Sequence, residues 1–305
     1  MSNPSAPKLF SSGQGAEGTS SPKKHLGRIS GKFRALADAG ELGLIAYITA
    51  GDPSLDASAK IVLAAAEAGA DIIELGVPFS DPVADGPVIQ RASERALRNG
   101  ATLAGVLELV RNLRAHTDVP LVLFSYFNPI LQMGLRKFAE AAAYAGADGI
   151  LATDLTPEEA HEYRTVMQAH GLDTIFLAAP TSTDQRLERI ANASAGFLYL
   201  VSRTGVTGAR EALPEGLPQL VRRIRNLTTL PIAVGFGISL PSHVSVLGGI
   251  ADAAVVGSAL MAEVEGAASV HAAVAAVATR VRALKNAARA GLSHRSSSLN
   301  IPTGE

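Results

Sequence analysis

Glu74 is the residue whose type and position point most directly to chemistry. It falls inside the apolar run DIIELGV, near the end of a predicted strand, where side-chain alternation aims it into the core. An unpaired ionised carboxylate is costly to bury and tends to change its protonation state, and acid–base catalysis uses such carboxylates. The alternative is a structural carboxylate that accepts hydrogen bonds across the core. Position alone leaves the two open.

A polar loop with two further carboxylates follows Glu74. Residues 76–87, GVPFSDPVADGP, contain three Pro and two Asp, so we expect a long but stiffened loop. Two carboxylates on separate elements can divide the work, one moving a proton and the other stabilising a positive charge. Asp81 and Asp85 also stand in turn contexts, SDP and ADG, where Asp commonly caps the turn. That alternative is favoured for Asp81 and stays open for Asp85.

Small residues follow the last three predicted strands and indicate a phosphate site. A barrel of parallel strands commonly holds phosphate there, with main-chain N–H groups and a helix N-terminus, and side chains would block that approach. Any single Gly after a strand is also ordinary turn chemistry. Three successive loops of this kind favour a phosphorylated ligand. The residues are Gly205, Gly208, Gly235, Gly237, Gly257 and Ser258.

Composition excludes several other kinds of site. The chain has no Cys, which removes disulfides, thiolate metal sites and Cys nucleophiles and suits a reducing compartment. Its 27 Lys and Arg against 28 Asp and Glu give no basic footprint for nucleic acid. The seven His have no metal-site spacing, so no metal is expected. Lys60 and Lys137 fall in predicted helices, which leaves no strand-borne Lys for a Schiff base.

A repeated phrase organises the fold. An Ala-rich helical run, a Gly turn, often Asp, and then four to six apolar residues recur at 67–76, 144–154 and 247–258, with looser copies at 170–180 and 194–203. The Gly is expected to close each helix in a left-handed cap, and the apolar run to form a strand buried on both faces. Three more runs begin at Leu44, Pro120 and Leu230. Eight strands with helix-capable segments between them predict an α/β fold, a (β/α)8 barrel.

The chain ends differ from the barrel in composition. Residues 1–23 and 291–305 are rich in Ser, Gly and Pro and are expected to be disordered tails around a single barrel domain, residues 24–290. A preliminary helix at 25–39 is expected to cover the barrel bottom. The uncharged stretch 227–251 is interrupted by Pro and Gly, so we predict a buried strand and not a membrane span. Residues 1–23 lack the apolar centre of a secretory signal, and a cytoplasmic location is expected.

Six motifs in order closely resemble the tryptophan synthase alpha subunit, over nearly everything between residues 30 and 285. They are YITAGDP at 47–53, ELGVPFSDPVADGPVIQRA at 74–92, YFNPIL at 126–131, SRTGVTG at 202–208, GFGIS at 235–239 and GSAL at 257–260. The resemblance implies a lyase that cleaves indole-3-glycerol phosphate to indole and glyceraldehyde 3-phosphate without metal or organic cofactor. It also implies an α2β2 complex in which indole passes to a beta subunit that holds pyridoxal phosphate.

The resemblance assigns roles residue by residue. Glu74 is implied to be the principal acid–base, and Asp85 to interact with the indole N–H. Thr207 matches a Thr in a mobile loop that closes on substrate. Residues implied to line the indole slot or hold phosphate are Tyr47, Phe124, Tyr199, Gly208, Phe236, Gly237, Gly257 and Ser258. Candidates for the partner-facing surface are Asp81, Asn128, Pro129 and Asp154.

Other functions remain as alternatives. A regulatory subunit that caps the tunnel, with weak chemistry of its own, is disfavoured by intact Glu74, Asp85 and phosphate loops. A sugar-phosphate isomerase or epimerase on the same fold is disfavoured by the run of motifs. A stand-alone indole-releasing lyase differs mainly in its independence of a partner, and the sequence does not distinguish it.

Overall fold

Nine parallel strands form one closed sheet in the part of the chain that the structure describes. The computed structural model describes residues 27–201, 214, 216–235 and 237–290, so the expected tails at 1–23 and 291–305 lie outside the described residues. The strands are β1 (Gly43–Thr49), β2 (Ile72–Gly76), β3 (Leu121–Ser125), β4 (Gly149–Ala152), β5 (Asp173–Ile175), β6 (Leu177–Ala178), β7 (Leu198–Val201), β8 (Ile232–Gly235) and β9 (Ala253–Val256).

The sheet closes at Phe176. The strands are ordered β5-β4-β3-β2-β1-β9-β8-β7-β6, and the two end strands, β5 and β6, are separated only by this residue. They are the two halves of the single strand predicted at 170–180. Counted as one strand, they give the barrel the eight strands expected from the sequence. The (β/α)8 prediction is confirmed.

Helices surround the barrel, and their first residues explain several of their boundaries. Ser54, Thr102 and Thr183 each accept a main-chain N–H from the first turn of the helix that follows. Pro87 and Pro241 start helices at the position where no N–H is needed. The helices are α1 (Arg28–Ala39), α2 (Leu55–Glu67), α3 (Pro87–Arg98), α4 (Leu103–Arg114), α5 (Phe127–Met133), α6 (Leu135–Ala145), α7 (His161–Ala169), α8 (Asp184–Ala193), α9 (Leu217–Arg225), α10 (Pro241–Leu247), α11 (Ser258–Gly266) and α12 (Val270–Ala290).

The Asp of the repeated phrase joins neighbouring strands at the barrel bottom. Asp71 accepts the N–H of Leu44 over 2.8 Å, and Asp148 accepts that of Leu121 over 2.8 Å. Asp252 repeats the contact with Ile232 over 2.7 Å. In each case the carboxylate precedes one strand and accepts an N–H from the first or second residue of the neighbouring strand, which explains why an acid recurs there.

The Gly of the phrase behaves as predicted in two of its three clear copies. Gly69 and Gly146 have φ of 110° and 91°, in the left-handed region that favours glycine. In the third copy, α10 ends at Leu247 and Gly248 follows it with φ of −56°, so the left-handed cap predicted there is wrong. The helix stops with a right-handed turn instead.

Helix α1 covers the barrel bottom, as the sequence predicted. Ile29 is fully buried, and the ring of Phe33 lies 5.7 Å from that of Phe197, the residue before β7. A Cβ placed on Gly43, at the start of β1, would meet Leu36 at 3.0 Å, which shows how closely the helix packs on the strand ends. The described helix begins at Arg28, and residues 25 and 26 of the predicted one are outside the described part.

No helix among the described residues is long and apolar enough to cross a membrane. The uncharged stretch 227–251 contains the buried strand β8 and the short helix α10, in agreement with the prediction.

Candidate functional site

Glu74 lies inside the barrel near the carboxyl end of β2. It pairs in register with Tyr47 of β1, and paired residues on parallel strands share one face of the sheet. The side chain has no exposed surface, and within the described part of the chain neither carboxylate oxygen has a hydrogen-bond partner. Burial raises the pKa of Glu74 to about 8. The group is therefore protonated at neutral pH and can donate a proton.

Asp85 faces the same end of the barrel from the loop between β2 and α3. Its Oδ2 accepts a hydrogen bond of 3.1 Å from the phenol of Tyr126, which follows β3. Burial raises the pKa of Asp85 to about 6, and the hydrogen bond from Tyr126 opposes that rise. The carboxylate is therefore ionised at neutral pH. One acid of the pair is protonated and the other is not, the arrangement that lets two carboxylates take different roles.

Three aromatic side chains line the interior between these acids. The ring of Phe124 in β3 lies 5.2 Å from that of Tyr47 in β1 and 6.4 Å from that of Tyr199 in β7, both edge-on. Since β1, β3 and β7 are not neighbours in the sheet, these contacts cross the barrel. They form the apolar wall of a slot suited to an aromatic ring.

Two glycines leave room for the tyrosines. A Cβ on Gly76 would lie 2.1 Å from Tyr47 Oη, and one on Gly235 would lie 2.2 Å from Tyr199 Oη. Tyr47 pairs with Glu74 and Tyr199 with Ala233, so each glycine stands two residues beyond the partner of its tyrosine. The same arrangement of a tyrosine and a neighbouring glycine thus places one phenol at β1 and one at β7.

Electrostatics show that both acids share this space. Burial is the main cause that raises the pKa of Tyr47 and of Tyr199 well above the usual value. The negative charges of Glu74 and Asp85 raise both further. The structure therefore brings together five of the residues predicted from the sequence, two carboxylates and three aromatic rings.

The described residues of the predicted phosphate site lie at the same end of the barrel. Gly237 follows β8 with φ of 86°, and Gly257 follows β9 as the residue before α11. Ser258 is the first residue of that helix, whose N-terminal N–H groups favour an anion. Gly205, Thr207, Gly208 and Phe236 lie outside the described residues.

The four candidates for a partner-facing surface lie at this end of the barrel, Asp81 and Asp154 in loops and Asn128 and Pro129 in the first turn of α5. Asp81, Asn128 and Asp154 are exposed and Pro129 is half-buried. Asp154 accepts the N–H of Phe127 over 2.7 Å, and Asp81 accepts the hydroxyl of Ser80 over 2.6 Å. Val83, in the loop with Asp81 and Asp85, is 82% exposed although it is apolar.

Sequence reasoning missed the part that Tyr126 plays. It is the first residue of the YFNPIL motif and directly follows β3, but the sequence alone assigns it no role. Its phenol holds Asp85 and also accepts the N–H of Ala84 over 2.9 Å, and its ring stacks on Phe79 at 5.0 Å. No local pattern carries this information, because 41 positions separate Tyr126 from Asp85.

Metal binding has no support in the described part of the chain. No group of three or more His, Cys, Asp or Glu side chains there could hold a metal ion.

Comparisons with known proteins agree on one family. A sequence model described as tryptophan synthase alpha chain matches residues 33–289. A protein of that name from Solibacter usitatus is 55% identical over 238 residues, which are 78% of this chain and 89% of the relative. One from Citrifermentans bemidjiense is 51% identical over 236 residues, 77% of this chain and 88% of the relative.

Solved structures show the same fold. A chain of Mycobacterium tuberculosis tryptophan synthase superposes with a TM-score of 0.80 at 35% identity, covering 86% of this chain and 98% of that one. The tryptophan synthase subunit alpha of Legionella pneumophila superposes with a TM-score of 0.78 at 36% identity, covering 87% and 99%.

Proposed function

Because this chain belongs to the tryptophan synthase alpha chain family, we propose that Glu74 and Asp85 carry out its lyase reaction. The chain cleaves indole-3-glycerol phosphate to indole and glyceraldehyde 3-phosphate, a step of tryptophan biosynthesis. The observation that carries the assignment is the pair of buried carboxylates at one barrel mouth, one with pKa about 8 and one with pKa about 6.

Glu74 is the proton donor. Indole is a poor leaving group until its C3 is protonated, and a carboxylic acid held neutral by burial supplies that proton. The resulting carboxylate takes the proton of the hydroxyl on the adjacent glycerol carbon. The carbon–carbon bond then breaks, its electrons return to the ring, and the glycerol carbon becomes the aldehyde. Glu74 ends the cycle protonated, as it began.

Asp85 stabilises the charge that this protonation creates. Protonation at C3 places a positive charge on the ring nitrogen, and an ionised carboxylate beside the N–H lowers the energy of that state. The hydrogen bond from Tyr126 fixes the orientation of the carboxylate and favours its ionised form. No cofactor on this chain is needed, because its own two acids supply both functions.

The remaining site residues bind the two ends of the substrate. Tyr47, Phe124, Tyr199 and Phe236 contact the indole ring. Gly208, Gly237, Gly257 and Ser258 hold the phosphate through main-chain N–H groups, and Thr207 belongs to the loop that closes over the site. Small side chains at these glycines would block the anion.

The family associates with a beta subunit. The further details are part of the proposal: an α2β2 complex, transfer of indole to a beta subunit that holds pyridoxal phosphate, and a cytoplasmic location. Asp81, Asn128, Pro129 and Asp154 lie at the barrel end from which indole leaves, and this placement supports them as contacts to the partner.

Indole release from indole-3-glycerol phosphate tests the function. We expect slow turnover by the purified chain and marked stimulation by a beta subunit. Turnover that the beta subunit does not change would favour a stand-alone lyase, and absence of turnover in both conditions would favour a regulatory subunit. Glu74→Gln should nearly abolish release while binding of a non-cleavable indole alkyl phosphate is retained. Wild-type turnover in that variant would show that Glu74 is not the donor.

A further inference from the structure

Four charged side chains connect three elements beside the barrel mouth. The guanidinium of Arg95 in α3 donates two hydrogen bonds, of 2.9 and 2.8 Å, to the carboxylate of Asp52, which follows β1. It donates a third, of 2.8 Å, to Glu265 in α11. Arg91, one helical turn earlier, donates two of 2.7 Å to the same Glu265. Two cations and two anions thus form a charge-balanced network.

The network fixes the relative positions of the elements it joins, in addition to balancing their charges. Asp52 is 1% exposed, so its carboxylate depends on the two hydrogen bonds from Arg95 in place of water. The planar guanidinium meets two carboxylates from different elements at once, which an ammonium group cannot do in the same way. Arg95 therefore fixes α3 against both the β1 end and α11.

Helix α3 also holds the loop that carries Asp85. The helix begins at Pro87, two residues after Asp85, and its first turn contains Gln90. Gln90 Nε2 donates to the main-chain oxygen of Asp85 over 2.9 Å and to that of Pro82 over 3.3 Å. A shift of α3 consequently moves the loop and its carboxylate.

Helix α11 carries the other end of the site. It runs from Ser258, a proposed phosphate contact, to Gly266, and Glu265 lies in its last turn. A regular helix of this length moves as one body. The position of Glu265 against Arg91 and Arg95 therefore sets where Ser258 lies relative to α3.

We propose that Arg95 is a positioning residue for the lyase reaction, which locks the helix behind Asp85 to the helix that begins at the phosphate site. The proposal rests on the proposed function, since it assigns the two ends of one substrate to those helices. The ring nitrogen and the phosphate must be engaged together, so the spacing between α3 and α11 decides whether Asp85 reaches the ring when the phosphate is bound.

Arg95→Lys tests the proposal because it keeps the positive charge and removes the planar contact. A displacement on the order of 1 Å should lower kcat by about tenfold to a hundredfold. Binding of glycerol 3-phosphate, a probe of the phosphate site alone, should stay close to wild type. Arg98→Lys is the matched control, because Arg98 lies on the same helix with a side chain 74% exposed and pairs only with Glu94 among the described residues.

A second readout separates positioning from simple instability. If the loop loosens, Asp85 becomes less buried, and its pKa should fall from about 6 toward the ordinary value of 3.8. The acidic limb of the pH profile of kcat/KM should move to lower pH by the same amount. Among the described residues, Asp85 acts on the pKa values of Tyr47, Tyr126 and Tyr199, and Glu74 acts on those of Tyr47 and Tyr199. Arg95→Lys changes none of these four groups. Unchanged kcat and an unchanged limb would overturn the proposal, and so would equal losses in Arg95→Lys and Arg98→Lys.

Hydrogen exchange tests the same inference without activity. The N–H of Ala84 is bonded to Tyr126 in the closed loop, and its protection should fall in Arg95→Lys and not in Arg98→Lys. If Arg95→Lys does not fold, Glu265→Gln carries the test, because it weakens the contacts of both arginines at a half-buried position. Absence of indole release by the wild-type protein would refute the proposed function. Wild-type protection of the Ala84 N–H from exchange in both Arg95→Lys and Glu265→Gln would refute the positioning role.

Discussion

The phenol of Tyr126 donates a 3.1 Å hydrogen bond to Asp85 Oδ2 and accepts a 2.9 Å hydrogen bond from the N–H of Ala84. One side chain at the end of β3 therefore holds both a carboxylate of the site and the main chain beside it. The acid that must stay ionised receives its hydrogen bond from a residue that cannot easily lose its own proton, because burial and the charge of Asp85 raise the pKa of Tyr126.

Tyr126→Phe should impair the reaction through Asp85. Loss of a hydrogen bond to a charged group costs about 1.5–3 kcal/mol, which predicts a fall in kcat/KM of roughly one to two orders of magnitude. The pKa of Asp85 should rise above about 6, because the contact that opposes the effect of burial is gone. Steady-state kinetics from pH 5 to pH 9 measure both effects, with the exposed Tyr144→Phe as the control. An acidic limb that stays at the wild-type pH would contradict this account.

The pH profile of the wild-type enzyme should be bell-shaped. Activity rises as Asp85 loses its proton near pH 6 and falls as Glu74 loses its proton near pH 8. The kcat/KM profile reports these groups in the free enzyme, so it should be highest near pH 7. Asp85→Asn should remove the acidic limb and retain the alkaline one. A plateau that extends above pH 9 would show that Glu74 does not act as the acid.

Glu74→Gln should stabilise the fold while it destroys activity. The folded-state pKa of about 8 lies above the ordinary 4.5, so between these values the folded wild type keeps a proton that the unfolded chain has lost. Wild-type stability therefore falls as pH rises through that window, by up to about 1.4 kcal/mol per pH unit. Gln does not titrate, so the advantage of the variant should grow from pH 5 to pH 8. Urea unfolding at several pH values measures it, with the exposed Glu140→Gln as the control.

The sequence predicts the barrel well because its signals are local. Buried parallel strands are continuous apolar runs, and each of the eight predicted runs contains a strand. The break at Phe176 was not predicted, since the run 170–180 is apolar on both sides of it. The recurrence of Asp71, Asp148 and Asp252 was visible in the repeats, but the N–H that each accepts belongs to another strand.

The site divides in the same way between local and distant information. Glu74 stands out as an acid in an apolar run. A structural carboxylate would accept hydrogen bonds across the core, and no such bond to Glu74 is present among the described residues. Asp85 could equally have capped a turn, and only its contact with Tyr126 and its burial distinguish the two interpretations. The partners of Arg95 lie 43 and 170 positions away, beyond any local pattern.

Gly235→Ala should displace Tyr199 from the indole slot. The new Cβ would lie 2.2 Å from the phenol oxygen, so the ring must move within a packed core, at a cost of about 1–3 kcal/mol. We expect a lower unfolding midpoint and weaker binding of an indole alkyl phosphate, with a smaller effect on glycerol 3-phosphate. Gly31→Ala, on an exposed helical face with no neighbour within 4 Å, is the control. Equal binding of the indole ligand in both variants would show that Tyr199 does not contact the ring.

Lys285→Met should lower the free energy of unfolding of the barrel without altering the lyase reaction. The ammonium of Lys285, 3% exposed in α12, lies 2.8 Å from Asp71 and 3.1 Å from Glu41, at the barrel end opposite to Glu74. Removing one partner of a buried pair costs about 3–5 kcal/mol, because the carboxylate of Asp71 is left without its nearest cation. The urea midpoint should fall well below that of the exposed control Lys137→Met, while kcat of the folded fraction stays at the wild-type value. A midpoint equal to that of the control would mean that Lys32, 4.0 Å from the same carboxylate, compensates for the loss.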